Sequence, residues 1–291
     1  MFSISLVIVT YHSQKDILNC LESVYQHTDI PVHELEIIIV DNSSRAIFLE
    51  TEALVRAHYD AGIIMIHNKA NGGYGQGNNI GIARASANLV CISNPDVLFT
   101  APVFRNALEL FHGDDSLAMV GGKQTGGPNF SFWIRPEYEF YILTRPMTTI
   151  LNRLGVYFEN YFFLSGAFLF VDKEKFYEVE RFDESMFLYG EEADLSRRFM
   201  DHGYKTMFCR DFSYRHLIDG RSGGSESDLE NMLNSYRIYF EKHQLSFRRY
   251  LKSRIMSCRI IIFVSKIIGK TDVYKNNLNY LRIFERRLDS L

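Results

Sequence analysis

Residues 1–100 alternate short, uninterrupted β-branched runs with stretches of helical periodicity, and this pattern restricts the fold more than any other feature. Ser5–Val9, Glu36–Val40, Ile63–Ile66 and Leu89–Ser93 read as strands, and roughly 14–26, 46–59, 76–86 and 102–112 as helices. Strands that are apolar along their length and separated by helices predict a parallel sheet covered on both faces. Ligands bind such sheets at the carboxyl ends of the strands. Each run here ends in a polar cluster: Thr10-Tyr11-His12, Asp41-Asn42-Ser43-Ser44, Asn68 to Asn71, and Asn94-Pro95-Asp96. Four polar strand ends converging on one edge predict a site rather than four unrelated turns.

The remaining chain is less regular. Between 113 and 160, Gly121, Gly122, Gly126, Gly127 and Pro128 precede the aromatic stretch Phe130–Trp133, which reads as a strand followed by a mobile loop over the site. A strand at Phe162–Val171 carries a small-residue break at Ser165-Gly166-Ala167. Then come a short helix, an acidic turn, a helix to about His202 and a strand near Lys205–Phe208. From about 226 the pattern is helical.

At 291 residues and 46% hydrophobic content, the chain can bury a full core, as one large domain or a domain with an appendage. Residues 245–291 hold eleven Lys/Arg against Asp272, Glu285 and Asp289, a balance of +8. The formal net charge of −3 therefore leaves −11 for residues 1–244. A basic appendage on an acidic body points to an anionic surface as partner. Nucleic acid is disfavoured, because the tail shows no aromatic stacking platform in a recognisable module. Cys20, Cys91, Cys209 and Cys258 are widely spaced, without metal-ligand spacing, and read as reduced thiols of a cytosolic protein. The chain opens directly on a strand pattern with no basic n-region, so no signal peptide is expected. The apolar run Ile260–Val264, with flanks to Ile268, is too short to span a bilayer.

Chemistry concentrates in the turn 186–198. It delivers Glu191, Glu192 and Asp194 to the first turn of a helix beginning near 191. Acids there complement the helix dipole and cap free N–H groups, which accounts for one or two of them. Phe187, Leu188 and Tyr189 directly before them would desolvate a carboxylate and raise its basicity, so a poised general base is the sharper reading. Asp41 suits hydrogen bonding to the N3–H of a uracil or thymine ring, yet an Asx-turn explains it equally well. The glycine-rich segment Asn71–Gly81 opens a helix and brings backbone N–H groups within reach of phosphate or sugar oxygens. Its spacing is wrong for a dinucleotide fingerprint, and Gly81 also suits close helix–sheet packing. Asp96 projects beyond Pro95, and a lone carboxylate suits Mg²⁺ or Mn²⁺ held mainly through substrate phosphates. His216 is a candidate further ligand or phosphate contact.

Taken in order, these segments resemble the family 2 inverting glycosyltransferases, most closely the bacterial rhamnosyltransferase-type branch. The carriers are Val7–Tyr11, Val40–Ser43, Asn71–Gly81, Asn94–Asp96, Ser165–Ala167, Phe182–Glu184, Phe187–Leu195 and His216, spanning about residues 3–222. The resemblance implies a GT-A fold: a Rossmann-like, mostly parallel α/β sheet with helices on both faces. It would occupy 1–224, with nucleotide-sugar binding in about 1–112 and the acceptor and catalytic part in about 113–224. A helical, basic C-terminal region would follow at 225–291.

By the same resemblance, Thr10, Tyr11, Asp41, Asn71, Gly73, Asn79 and Asn94 would bind the nucleotide sugar. Asp96 and His216 would hold Mg²⁺ or Mn²⁺, with Asn94 replacing the first Asp of an Asp-x-Asp element. Glu192 aligns with the catalytic Asp of the family pattern and is one methylene longer, leaving Glu191 and Glu192 both open as the base; Glu192 is preferred. Glu191, Asp194 and Trp133 would support the turn or the acceptor, and Arg197 and Arg198 would pair with nearby acids. The implied reaction moves L-rhamnose from dTDP-L-rhamnose to a hydroxyl of a growing bacterial surface glycan, free or lipid-linked. Alternatives are a UDP-linked galactose, GlcNAc or furanose, and a catalytically inactive nucleotide-sugar-binding partner. The cation-studded segment 245–270 has two readings, a membrane-surface helix at the inner face of the plasma membrane or an ordinary helix packing on the body or on a second subunit.

Overall fold

The computed structural model describes residues 2–59, 62–126, 130–217 and 226–291. Strands β1 (Ile4–Thr10), β2 (Leu35–Asp41), β3 (Ile64–His67) and β4 (Leu89–Ser93) alternate with α1 (Gln14–His27), α2 (Arg45–His58) and α3 (Gly73–Arg84). A short β5 (Val97–Phe99), α4 (Phe104–Gly113), β6 (Leu117–Thr125), β7 (Phe132–Ile134) and α5 (Tyr141–Leu154) follow. Then come β8 (Phe162–Leu164), β9 (Phe168–Asp172), α6 (Lys173–Glu178), α7 (Glu191–Asp201) and β10 (Lys205–His216). The chain closes with α8 (Glu226–Lys242), α9 (Phe247–Ile267) and α10 (Thr271–Asp289).

Eight strands form one sheet in the order β3-β2-β1-β4-β9-β6-β10-β5. As the βα alternation predicts, β1 pairs in parallel with β2 and β4, and β2 with β3. Inserted between β4 and β6, β9 runs antiparallel to both. The small-residue break at 165–167 falls where β8 ends and β9 begins, and β8 leaves the main sheet to pair with β7.

Alternate side chains of the central strands feed cores on opposite faces. Ile4, Leu6, Ile8, Ile37 and Ile39 join one, while Val7, Ile38 and Val40 join the other. That period of two is what a doubly covered strand requires. Helix α3 lies unusually close to β1, since a Cβ on Gly81 would come within 2.3 Å of Val7 Cγ1. A third core joins α8–α10 to the body: Leu233, Tyr239, Phe240 and Leu251 pack with Phe163, Met186 and Ala193. The expected division near 224–225 lies outside the described residues.

Two expectations need correction. Residues 130–160 are not a loop after a strand: they form β7 and the 14-residue helix α5. Pro146 inside α5, followed by β-branched Thr148, Thr149 and Ile150, masked the helical signal. Gly127 and Pro128 lie outside the described residues. Strand β10 runs on past Phe208 to His216, because a register shift between Cys209 and Ser213 lets pairing with β6 resume.

All four cysteines are free thiols. Burial pushes the Cys20 thiol up to about 12, in keeping with an inert core role. No helix among the described residues is long and apolar enough to cross a membrane.

Candidate active site

Parallel pairing of β1 and β2 places Thr10 opposite Asp41 at the carboxyl edge. Thr10 Oγ1 donates to Asp41 Oδ2 (2.7 Å), and the Ser43 N–H donates to Oδ1 (2.7 Å). The Asx-turn is therefore formed, and it fixes a fully buried carboxylate at the strand ends. Tyr11, immediately beyond, is 54% exposed and offers a ring face at the rim. His12 turns the chain in a left-handed conformation (φ 53°).

The glycine-rich segment is occupied mainly in shaping the edge. Asn71 Oδ1 accepts from the Gly73 N–H (3.1 Å), and Asn42 Nδ2 donates to Gly73 O (3.1 Å). Gly73 has φ +88°, and a Cβ there would fall 1.7 Å from Phe187 O. No other residue fits where the acidic turn crosses α3. Asn79 is buried with its amide committed: Nδ2 donates to Phe182 O and Glu184 Oε1 (2.9 Å each), and Oδ1 accepts from the Phe182 N–H (3.1 Å). Of the residues expected to bind the sugar nucleotide, Gly73 and Asn79 thus also hold the segment carrying the acids, while Asn71 caps the Gly73 N–H.

At the end of β4, the Asn94 N–H donates to Ala167 O (2.9 Å). Two residues on, Asp96 Oδ1 lies 3.1 Å from His216 Nε2, and the Leu217 N–H donates to Asp96 O (2.8 Å). The antiparallel β5–β10 ladder, pairing His216 with Val97, is what brings these residues together. One carboxylate oxygen and one imidazole nitrogen suit a divalent cation of the Mg²⁺ or Mn²⁺ class. No cluster of three or more His, Cys, Asp or Glu suited to a metal occurs among the described residues. A cation at this pair would complete its shell with phosphate and water oxygens. An open groove of about 780 Å³ lies alongside, lined by His12, Lys15, Asp16, Glu50, Leu54 and Leu217.

The acidic turn enters α7 through two left-handed residues, Tyr189 (φ 68°) and Gly190 (φ 92°). Glu192 is half-buried, and its Oε1 accepts from the Gly166 N–H (3.2 Å). Tyr74 donates its hydroxyl to Gly166 O (2.7 Å), closing the other side of the same peptide. Burial raises the Glu192 carboxyl above the ordinary range. Glu191 is only 1% exposed, with Oε2 lacking a hydrogen-bond partner. Burial, and then the Glu192 charge beside it, push the Glu191 carboxyl well above the ordinary range. Of the residues expected to desolvate these acids, Phe187 and Tyr189 are each 41% exposed and Leu188 is half-buried. Glu192 lies against Gly166, beside the Tyr74 hydroxyl.

Asp194 has a different task. It is fully buried, accepts from Arg198 Nε (2.9 Å) and Nη2 (2.6 Å), and meets Lys242 Nζ at 3.1 Å and His243 Nε2 at 2.8 Å. Burial alone would raise its carboxyl, but the His243 hydrogen bond with Arg198 and Lys242 holds it at about 2. Ringed by these partners, Asp194 braces the turn and offers no open face to an acceptor. Arg197 pairs with Glu137 (2.9 Å). Trp133 sits in β7 with its ring beneath Arg145 (5.0 Å to the centroid) and edge-on to Phe130.

Several residues at this site had not been singled out from sequence. Tyr74 stands inside the glycine-rich motif, whose glycines dominate the local signal. Ser235, Tyr236 and Lys242 of α8, with His243 just after it, reach the acidic turn: Ser235 Oγ donates to Leu188 O (2.9 Å), and Tyr236 packs against Gly190. Nothing in the local pattern of α8 announces this.

Residues 5–180 match the family model described as glycosyl transferase family 2. The chain belongs to that family. It is 25% identical over 254 residues to Glycosyltransferase GlyG of Streptococcus pneumoniae serotype 4, covering 82% of this chain and 79% of that protein. Among solved structures, the mannosyltransferase PcManGT from Pyrobaculum calidifontis, in complex with GDP-Man and Mn²⁺, superposes with a TM-score of 0.59 at 13% identity. That match covers 97% of this chain and 84% of PcManGT. Residues 1–349 of S. aureus TarS, in complex with UDP, give a TM-score of 0.55 at 16% identity, covering 87% and 69%. In the longer TarS structure, the chain spans 42% of its relative. The sheet and its helices are thus a GT-A glycosyltransferase fold, followed by C-terminal helices.

Proposed function

We propose that this glycosyltransferase moves L-rhamnose from dTDP-L-rhamnose to a hydroxyl of a growing bacterial surface glycan, with inversion at the anomeric carbon. The observation that carries the reading is the convergence on one sheet edge of three groups. These are the Thr10–Asp41 pair, the Asp96–His216 pair, and Glu192 on the Gly166 peptide, one residue from the Ala167 carbonyl that binds Asn94. Tyr11 and the Thr10–Asp41 pair would receive the base, and Asn94 would face the ribose or the sugar. Asp96 and His216 would hold Mg²⁺ or Mn²⁺, which supplies positive charge against the departing diphosphate.

Glu192 is the base in this scheme. It is half-buried and fixed through one oxygen, whereas Glu191 is enclosed. As the acceptor oxygen bonds to the anomeric carbon and the bond to the diphosphate breaks, the acceptor proton passes to Glu192. The raised carboxyl makes it a better proton acceptor than an ordinary glutamate. A lipid-linked acceptor at the inner face of the plasma membrane fits the basic C-terminal helices.

The test is nucleoside diphosphate release from dTDP-rhamnose, UDP-galactose, UDP-GlcNAc and GDP-mannose, with and without Mn²⁺ or Mg²⁺. Metal-dependent release from dTDP-rhamnose alone supports the reading. Preference for UDP-galactose or UDP-GlcNAc replaces the donor and leaves the site assignment standing. Silence from all four, with no nucleotide-induced thermal shift, sinks it.

A further inference from the structure

Helices α5 and α9 touch one another: Ser253 Oγ donates to Glu139 O just before α5, and Arg254 lies over the Tyr141 ring at 4.4 Å. Each presents an exposed apolar face. On α5 it is Leu143, Pro146, Met147, Ile150 and Leu154, with Leu143 at 66% exposure. On α9 it is Met256, Ile260, Phe263, Val264 and Ile267, the last at 69%. Both sets follow the spacing of a single helical stripe. Surface helices of globular proteins carry polar residues there, and contiguous exposed apolar patches mark contact sites.

Charge identifies the partner. Across α5 and α9 there are eight Arg or Lys and no Asp or Glu. Of these, Arg153, Lys252 and Lys266 are exposed beside the apolar stripes. Of the acids on neighbouring α8 and α10, Glu285 is matched to Arg259, and Glu230 to Arg286 and Arg287. A second copy of the chain would place cations against cations across a two-fold axis. Nucleic acid offers nothing to Ile, Phe and Val side chains on a convex helix. An anionic lipid surface satisfies both features, taking the apolar residues into its acyl boundary and the cations among its headgroups.

We infer that α5 and α9 together form a peripheral membrane-docking face, specific for anionic lipid and lying on the surface rather than crossing it. This rests on the reading of a lipid-linked acceptor for its purpose. Helix α5 extends the contact well beyond the basic tail.

The test is co-sedimentation of the full chain with phosphatidylcholine vesicles, with and without phosphatidylglycerol. Binding should require phosphatidylglycerol and weaken with added salt. The variants Leu143→Gln/Met147→Gln/Ile150→Gln and Ile260→Gln/Phe263→Gln/Ile267→Gln should each weaken it by at least about tenfold, given the apolar area withdrawn. A charge variant, Arg153→Glu/Lys252→Glu/Lys266→Glu, should do the same without touching the apolar stripes. All three should retain wild-type nucleoside diphosphate release in vesicle-free buffer, which reads folding separately from docking. The sedimentation itself needs no donor sugar, and the release control can use whichever donor the wild type turns over, so a wrong donor leaves the test intact. No binding of the wild type to anionic vesicles, or an α5 variant that binds like the wild type, overturns the inference. So does a concentration-dependent dimer that the same substitutions dissolve.

Discussion

Asp96 and His216, separated by 120 positions in the chain, meet with Oδ1 3.1 Å from Nε2. The pairing of Val97 with His216 sets this distance, so the junction is as rigid as the sheet edge carrying it. Substituting Asp96 by Asn keeps the shape and removes the charge. Nucleotide binding measured calorimetrically in Mn²⁺ should weaken by at least about tenfold, the lower end for groups supporting a metal site. Binding in a chelator should change little. Equal losses in both conditions would make the pair a structural tie.

Glu192→Gln should lower turnover by about 10²–10⁴-fold, the usual contribution of a general base, while leaving nucleotide affinity intact. Because burial raises this carboxyl, the acid limb of kcat/KM should lie at higher pH than the ordinary glutamate value of 4.5. Full turnover in the Gln variant would transfer the role to another group.

Glu191→Gln should stabilise the fold at neutral pH and leave it nearly unchanged near pH 4. A carboxyl raised on folding contributes its full stability below its unfolded pKa, and that contribution is lost as pH rises through the folded value. Each pH unit between the two values costs about 1.4 kcal/mol. Tm against pH for both proteins should diverge upward from pH 4; parallel curves would contradict the assignment.

Asp194→Asn should destabilise by about 3–5 kcal/mol, since Arg198 and Lys242 would be left facing a neutral amide. The sign opposes that of Glu191. A carboxyl held at about 2 contributes stability above its unfolded pKa and loses it as pH falls toward 2. Chemical denaturation at pH 7 and pH 3 should show a smaller gap between wild type and variant at the lower pH.

The parallel half of the sheet was legible in the sequence because its strands are apolar throughout and its helices are bounded by clear turns. Leu89–Ser93 agrees residue for residue, and β1–β3 differ only at their ends. Helix α5 was hidden by Pro146, and the far half of β10 by a register shift that periodicity cannot register. At the candidate site, the polar strand ends do meet, Thr10 with Asp41 and Asp96 with His216. Asn79 carries the signal of a ligand loop, yet its amide is committed to Phe182, 103 positions away. Such long-range commitments leave no trace in local composition, and the same is true of His243 on Asp194.

The fastening of the acidic turn by α8 sets an order of events during synthesis. Chains emerge from the ribosome amino end first, and their parts fold as they appear. The segments carrying Asp41, Asp96 and His216 are complete before the residues that grip the turn have been made. Ser235 arrives 47 positions after Leu188, and His243 arrives 49 after Asp194. A nascent or truncated chain ending before α8 would therefore hold Glu192 by the Gly166 peptide alone, with Leu188 and Asp194 ungripped, and on the proposed mechanism catalytic competence would be the last property this molecule acquires.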